Sequence, residues 1–190
     1  MTRLPLHTLE SAPEGSRAAL EASAKAWGFV SNLHGTLAES PAALVGYDTL
    51  FAGIAKSTLT PVEQQVVFLT VSTFHDCSYC TAGHTYLARA AGMDEDSLRA
   101  LRAEALPADP RLAILSDFAR KVVETRGNPG DAAVGGFIAA GFTTANVLDV
   151  VAMVAAKTIS NYVNHLTHTP LEGFMSDPAL GWTKSTPVAA

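Results

Sequence analysis

At Ser40-Pro41, Thr60-Pro61 and Asp109-Pro110 a capping residue is followed by proline and then by apolar residues at three-to-four spacing. Such a pair is a helix start. The Ser, Thr or Asp oxygen accepts from a first-turn N–H that lacks an intrahelical partner, and proline's fixed φ suits the first helical position. After Thr60-Pro61, Val62, Val66, Leu69 and Thr73 mark one face; after Asp109-Pro110, Leu112, Leu115, Phe118, Ala119 and Val122 do the same. No sustained alternation of β-branched residues appears, so the expected fold class is all-α.

The same signals place further helices at residues 16–27, at 41–54, and from Asp94 to a stop before Pro107. Asp131 caps a short Gly-containing helix, and Thr143 opens a long one to about His165. Asp76 reads as the N-cap of a helix that carries Cys77, Cys80, His84 and Leu87 until Gly92 ends it. Residues 28–39 read as turns, and Pro170 begins an irregular tail, expected to dock on a partner, that occupies 172–190 of a single domain with its core at about 28–171. Aligning Leu59-Thr60-Pro61 with Phe142-Thr143-Thr144 puts Val67 on Val150, Val71 on Val154 and Tyr79 on Tyr162, which suggests two related helical-hairpin halves. Cys77 and Cys80 then fall on Ser160 and Val163, so only the first copy carries thiols.

With 48% hydrophobic and 16% charged residues the chain is neither disordered nor fibrous, and at 190 residues it can bury a substantial core. A net charge of -5 offers no basic footprint for nucleic acid or an anionic membrane. The N-terminal residues lack the apolar run of a secretory signal. The most apolar stretch, 147–156, contains Asp149, abuts Lys157, and is about half the roughly twenty residues a span needs, so it reads as a buried core helix. The expected location is cytoplasmic, with no membrane partner. Only two cysteines occur, three residues apart, a spacing that suits redox or metal chemistry and not a disulfide framework.

On a helix, Cys77, Cys80 and His84 share one face. A helix N-terminus favours thiolate over thiol, so a lowered Cys77 pKa is expected. One cysteine of such a pair attacks an oxidant or a disulfide and the other resolves the product, with His84 as base or relay. The preceding helix offers Glu63 and Gln65 to stand behind the imidazole. Zinc is a rival reading, with Cys77, Cys80, His84 and either His165 or His168 as ligands. His34 and His75 read as surface or turn residues, and Tyr47, Tyr79 and Tyr162 as core aromatics. Asn161, Asn164 and His165 form a polar cluster in the last helix that suits a helix contact, a subunit interface or a place beside the thiols.

The stretch LTPVEQQVVFLTVSTFHDCSYCTAGH, residues 59–84, resembles the AhpD-like family, the alkylhydroperoxidase D and carboxymuconolactone decarboxylase superfamily. SNLHGTLAESPAAL upstream and KTISNYVNH downstream extend the likeness to about residues 28–171. The resemblance implies an AhpD-like helical bundle, a homo-oligomer, and a thiol-dependent peroxidase in which Cys80 attacks a small peroxide, Cys77 closes the disulfide and His84 belongs to a proton relay. It also implies a thiol reductant, a lipoyl or thioredoxin-like protein. The position of the family's relay glutamate, twelve residues before the first cysteine, is Gln65 here, and Glu63 is the nearby carboxylate. A histidine that the family enzyme carries between its cysteines is Tyr79. Decarboxylase members lack the cysteine pair, which disfavours that activity. A disulfide oxidoreductase without peroxide preference, and a redox-sensing or zinc-holding helical oligomer, are the alternatives.

Overall fold

The computed structural model describes residues 4–184; the first three residues and 185–190, the end of the expected tail, lie outside the described residues. The described chain is helical with no strand: α1 Glu14–Trp27, α2 Asn32–Leu37, α3 Pro41–Ile54, α4 Pro61–Phe74, α5 Ser78–Ala90, α6 Glu95–Arg102, α7 Pro110–Glu124, α8 Asp131–Ala139 and α9 Thr144–Thr167, then a 3-10 turn at Gly173–Ser176. The capping signals act as expected. Ser40 Oγ accepts from Ala43 N, Asp109 accepts from Arg111 N and Leu112 N, and Thr60 with Glu63 forms a reciprocal capping box. Each such cap is worth about 1 kcal/mol.

The helix α4 is the central post, packed against α5, α7 and α9. Its Val66, Val67, Leu69 and Val71 are sealed from water together with Leu98, Leu115, Val150 and Met153. Truncation of such a leucine, as in Leu69→Ala, would cost about 2–5 kcal/mol. Phe118, Phe137 and Phe142 stack at centroid spacings of 4.1 Å, tying α7, α8 and the start of α9 together. A second cluster joins Leu20 of α1, Leu33 and Leu37 of α2, Leu44 and Tyr47 of α3, Cys77 and Cys80, and Met175 and Leu180 of the tail.

Four expectations change. Residues 28–39 hold the short helix α2, whose N-cap Ser31 accepts from His34 N. The tail folds back on its own body: Glu172 accepts from Asn32 N at 2.6 Å and from the Tyr79 hydroxyl at 2.6 Å, and Trp182 Nε1 donates to Arg102 O at 2.8 Å. The apolar run 147–156 is core on one face only, since Leu148 is 70% exposed, and farther along α9 Tyr162 is 54% exposed instead of buried. Finally, α4 and α9 start with the same capping box, but α9 continues unbroken through Thr158–Ser160, where the aligned residues His75–Cys77 separate α4 from α5. The hairpin of the first copy is therefore one continuous helix in the second.

Among the described residues no single helix is long and apolar enough to cross a membrane.

Candidate active site

The break between α4 and α5 places the thiols. Asp76 adopts a left-handed conformation, with φ 56°, so that Asp76 N donates to Thr73 O and Cys77 N to Ser72 O, each at 3.0 Å. This is the Schellman helix ending, with Asp in the place glycine usually takes. Asp76 thus terminates α4 and does not cap α5. The cap is Cys77, whose Sγ accepts from Cys80 N at 3.4 Å. One residue closes one helix and opens the next, which holds both sulfurs at the N-terminus of α5.

Around Cys80 the structure gathers groups from elements distant in sequence. Asn164 Nδ2 donates to its Sγ at 3.2 Å and lies 3.9 Å from Cys77 Sγ. Ser160 Oγ is 3.9 Å from Cys80 Sγ, and Lys157, one turn earlier on α9, is 1% exposed. Burial works against a charged Cys80, but hydrogen bonding from the Cys77 thiol, the Lys157 charge, the Asn164 amide and the Ser160 hydroxyl together hold its pKa well below the ordinary thiol range. Cys77 moves the other way. Its proton is retained by the hydrogen bond to Cys80, with burial and the Cys80 charge adding to the effect. The pair therefore shares one proton, with the negative charge on Cys80, and the expected lowering at Cys77 falls instead on its neighbour.

His84 lies one turn along α5 from Cys80, and Gln65 Oε1 sits 2.9 Å from its Nδ1. A carbonyl oxygen can only accept, so Nδ1 carries the proton and Nε2 is left as a base. Burial first, and then the Lys157 charge, hold its pKa well below the ordinary imidazole range, so the ring is neutral at pH 7. Glu63 is not brought to this site. Its Oε1 accepts from Arg111 Nε at 2.6 Å and its Oε2 from Thr60 N at 2.7 Å, so this carboxylate holds α4 to α7 and closes the capping box. Two residues on a helix differ by about 200° of rotation, which is why Gln65 and Glu63 face opposite ways.

Cys80, His84, Tyr47 and Lys157 line a cavity of about 520 Å³ whose remaining wall includes Trp27, Phe29, Phe51, Leu87 and Phe174. Burial and the nearby Cys80 charge keep the Tyr47 phenol protonated. His34 is a wall residue of this cavity and not a surface one; its Nε2 is 3.1 Å from Asp48 Oδ1 and its Nδ1 2.6 Å from Ser31 Oγ. Cys77 opens elsewhere, onto a polar cleft of about 330 Å³ with Asp76, Ser78, Asn164, His165 and His168. The zinc set therefore does not assemble: His84 faces the cavity while His165 and His168 face the cleft, and no three His, Cys, Asp or Glu side chains of the described residues come together in a way that could hold a metal ion.

Sequence reasoning grouped Cys77, Cys80 and His84 and left Asn164 among several readings. It did not find Lys157 and Ser160. Their signal is a polar stripe at 157, 160, 161 and 164 with three-to-four spacing inside an otherwise apolar helix.

Residues 41–114 match the carboxymuconolactone decarboxylase family. No curated protein matches the chain significantly. Among solved structures, an alkylhydroperoxidase AhpD core, a peroxidase-related protein from Ralstonia eutropha JMP134, superposes with a TM-score of 0.82 at 22% identity over 95% of this chain and 97% of that one. A peroxidase-related protein from Silicibacter sp. TM1040 gives 0.77 at 19% identity over 93% of both chains. A cysteine-to-alanine variant of the debrominase Bmp8, in complex with 2,3,4-tribromopyrrole, gives 0.65 at 12% identity over 92% and 94%. Likeness at these identities establishes the fold, which this chain shares with the AhpD core and the peroxidase-related proteins, while the family model matches residues 41–114 alone.

Proposed function

We propose that this protein is a thiol-dependent peroxidase that reduces apolar hydroperoxides through a Cys77–Cys80 dithiol/disulfide cycle. The observation that carries the reading is the setting of Cys80. Its sulfur is held as thiolate by Cys77, Lys157, Asn164 and Ser160, and it opens into an apolar cavity shared with a neutral His84.

In the first step the Cys80 thiolate attacks the outer peroxide oxygen, an S–O bond forms, the O–O bond breaks, and the alkoxide leaves. Cys80 is already a thiolate and His84 is neutral, so the proton that turns the alkoxide into the alcohol comes from water through His84 Nε2. The resulting Cys80 sulfenic acid then loses water as the Cys77 sulfur attacks it, and the S–S bond closes. One hydroperoxide and two thiols become one alcohol, one water and one disulfide. Gln65 fixes the His84 tautomer throughout without exchanging a proton. The aromatic wall favours substrates with a bulky apolar group over hydrogen peroxide, since burying such a group stabilises the complex by about 25 cal/mol per Å².

Time-resolved thiol counting with cumene hydroperoxide, hydrogen peroxide and a model disulfide tests the reading. The expected result is loss of two thiols per protein, fastest with cumene hydroperoxide. Reaction no faster than that of free cysteine would reject it, and preference for the disulfide would favour disulfide exchange instead.

A further inference from the structure

The two cysteines face different compartments, and nothing in a simple dithiol cycle requires that. Cys80 lines the apolar cavity and Cys77 does not; Cys77 lines the polar cleft and Cys80 does not. Tyr79, between them in sequence, borders both, and its hydroxyl is tied to Glu172, so it serves as a fixed partition. The cleft is formed by the start of α5 and the end of α9, whereas α1 walls the cavity through residues such as Trp27. Asn164 lines this cleft; its Oδ1 is buried and has no hydrogen-bond partner, while its Nδ2 reaches both sulfurs. An unpartnered acceptor on a residue that lines the cleft leaves room for a donor brought by a ligand.

We propose that the polar cleft is the entry site for the reductant, so that the external thiol attacks Cys77 while the substrate meets Cys80 from the opposite side. The inference rests on the dithiol cycle proposed above. An attacking thiolate is charged, and moving it through the apolar cavity would strip its hydration without a polar replacement. The cleft offers that replacement through Ser78, the first-turn amides of α5, and the imidazoles of His165 and His168, which can take the proton of an incoming thiol. Its volume suits a small thiol or a thiol at the end of a narrow arm.

In the step itself, the reductant sulfur bonds to Cys77 Sγ, the S–S bond breaks, and the electron pair goes to Cys80 Sγ. A second reductant thiol then attacks the external sulfur, and Cys77 leaves and takes up a proton. The protein disulfide and two thiols become the protein dithiol and one external disulfide. This direction releases the sulfur that Asn164, Ser160 and Lys157 already stabilise as an anion, and the better leaving group leaves faster. Attack on Cys80 would instead have to expel Cys77, the partner that retains its proton.

The test uses full-length protein oxidised with diamide, so the reduction half is measured whether or not hydroperoxide oxidises the dithiol. Glutathione is added together with iodoacetamide, and fragment masses locate each modification. The expected product carries glutathione on Cys77 and the alkyl group on Cys80; the reverse assignment overturns the proposal. In parallel, His165→Trp fills the cleft from an exposed helical position, and Ala26→Trp fills the cavity, which the exposed Ala26 of α1 also lines. His165→Trp should slow reduction by glutathione about tenfold and leave oxidation by diamide within about twofold, whereas Ala26→Trp should leave reduction within about twofold. Slowed reduction in Ala26→Trp but not in His165→Trp would place the reductant in the cavity and refute the cleft. Failure of hydroperoxide to oxidise the wild type bears on the peroxidase reading alone.

Discussion

Replacing Asn164 with alanine removes one bond to Cys80 and little else, because Asn164 Oδ1 has no partner and Nδ2 contacts only the two sulfurs. A hydrogen bond to a charged group is worth about 1.5–3 kcal/mol, and one pKa unit corresponds to about 1.36 kcal/mol, so the Cys80 pKa should rise by about one to two units. Below the pKa each unit removes about nine-tenths of the thiolate, but the more basic thiolate is also more nucleophilic, with a Brønsted slope of about 0.45. At pH values below both the original and the raised pKa, the two effects combine to a net slowing of about three- to twelvefold. The measurement is the pH dependence of monobromobimane alkylation in a Cys77→Ser background, where only Cys80 reacts, with and without Asn164→Ala. Asn161→Ala is the control, since the Asn161 amide is buried nearby without contacting sulfur. A midpoint that moves no further with Asn164→Ala than with Asn161→Ala would refute the assignment of this amide as a thiolate donor.

Glu63→Ala should lower stability by about 1–2 kcal/mol through loss of the capping box and the Arg111 pair, a fall of several degrees in thermal midpoint, while thiol oxidation rates stay unchanged; a large loss of rate in folded protein would return Glu63 to the relay. Gln65→Glu places a carboxylate against His84 Nδ1 and should raise the His84 pKa by about one to three units, read by NMR titration, with faster oxidation at neutral pH if the relay is limited by the missing carboxylate. Burial holds both His84 and His75 below the ordinary imidazole pKa, so on acidification the unfolded chain binds protons that the folded one refuses. Stability should be fully present above about pH 6.5 and fall as pH drops toward the depressed values, and His84→Gln should flatten that fall in thermal unfolding between about pH 7 and 5.

The helices were legible because capping is a local event: Ser40-Pro41, Thr60-Pro61 and Asp109-Pro110 each decide their own start without help from the rest of the fold. The helix α2 was hidden because its six residues sit among Gly, Ser and Asn and are held by Ser31 and by Glu172, which is distant in sequence. The misplaced cap at Asp76 has a similar origin. Whether an Asp caps a helix or turns left-handed after one depends on where the preceding helix stops, and at α4 the Schellman bonds settle it in favour of Cys77 as the cap. Within the site, Cys77, Cys80 and His84 share one helix, so their grouping follows from spacing. Ser160 and Asn164 reach Cys80 across a sequence separation of 80 and 84 residues, which only packing of α9 against α4 and α5 creates. The choice between Glu63 and Gln65 was open to helical geometry, and what decided it was the presence of Arg111 on α7 to claim the carboxylate.

The most direct test of the account is which sulfur is oxidised first. Cys77→Ser and Cys80→Ser proteins are each exposed to one equivalent of cumene hydroperoxide in the presence of dimedone, and the sulfenic acid adduct is located by mass. The account predicts one adduct on Cys80 in the Cys77→Ser protein and none in the Cys80→Ser protein. An adduct on Cys77 forming as readily as the one on Cys80 would contradict it.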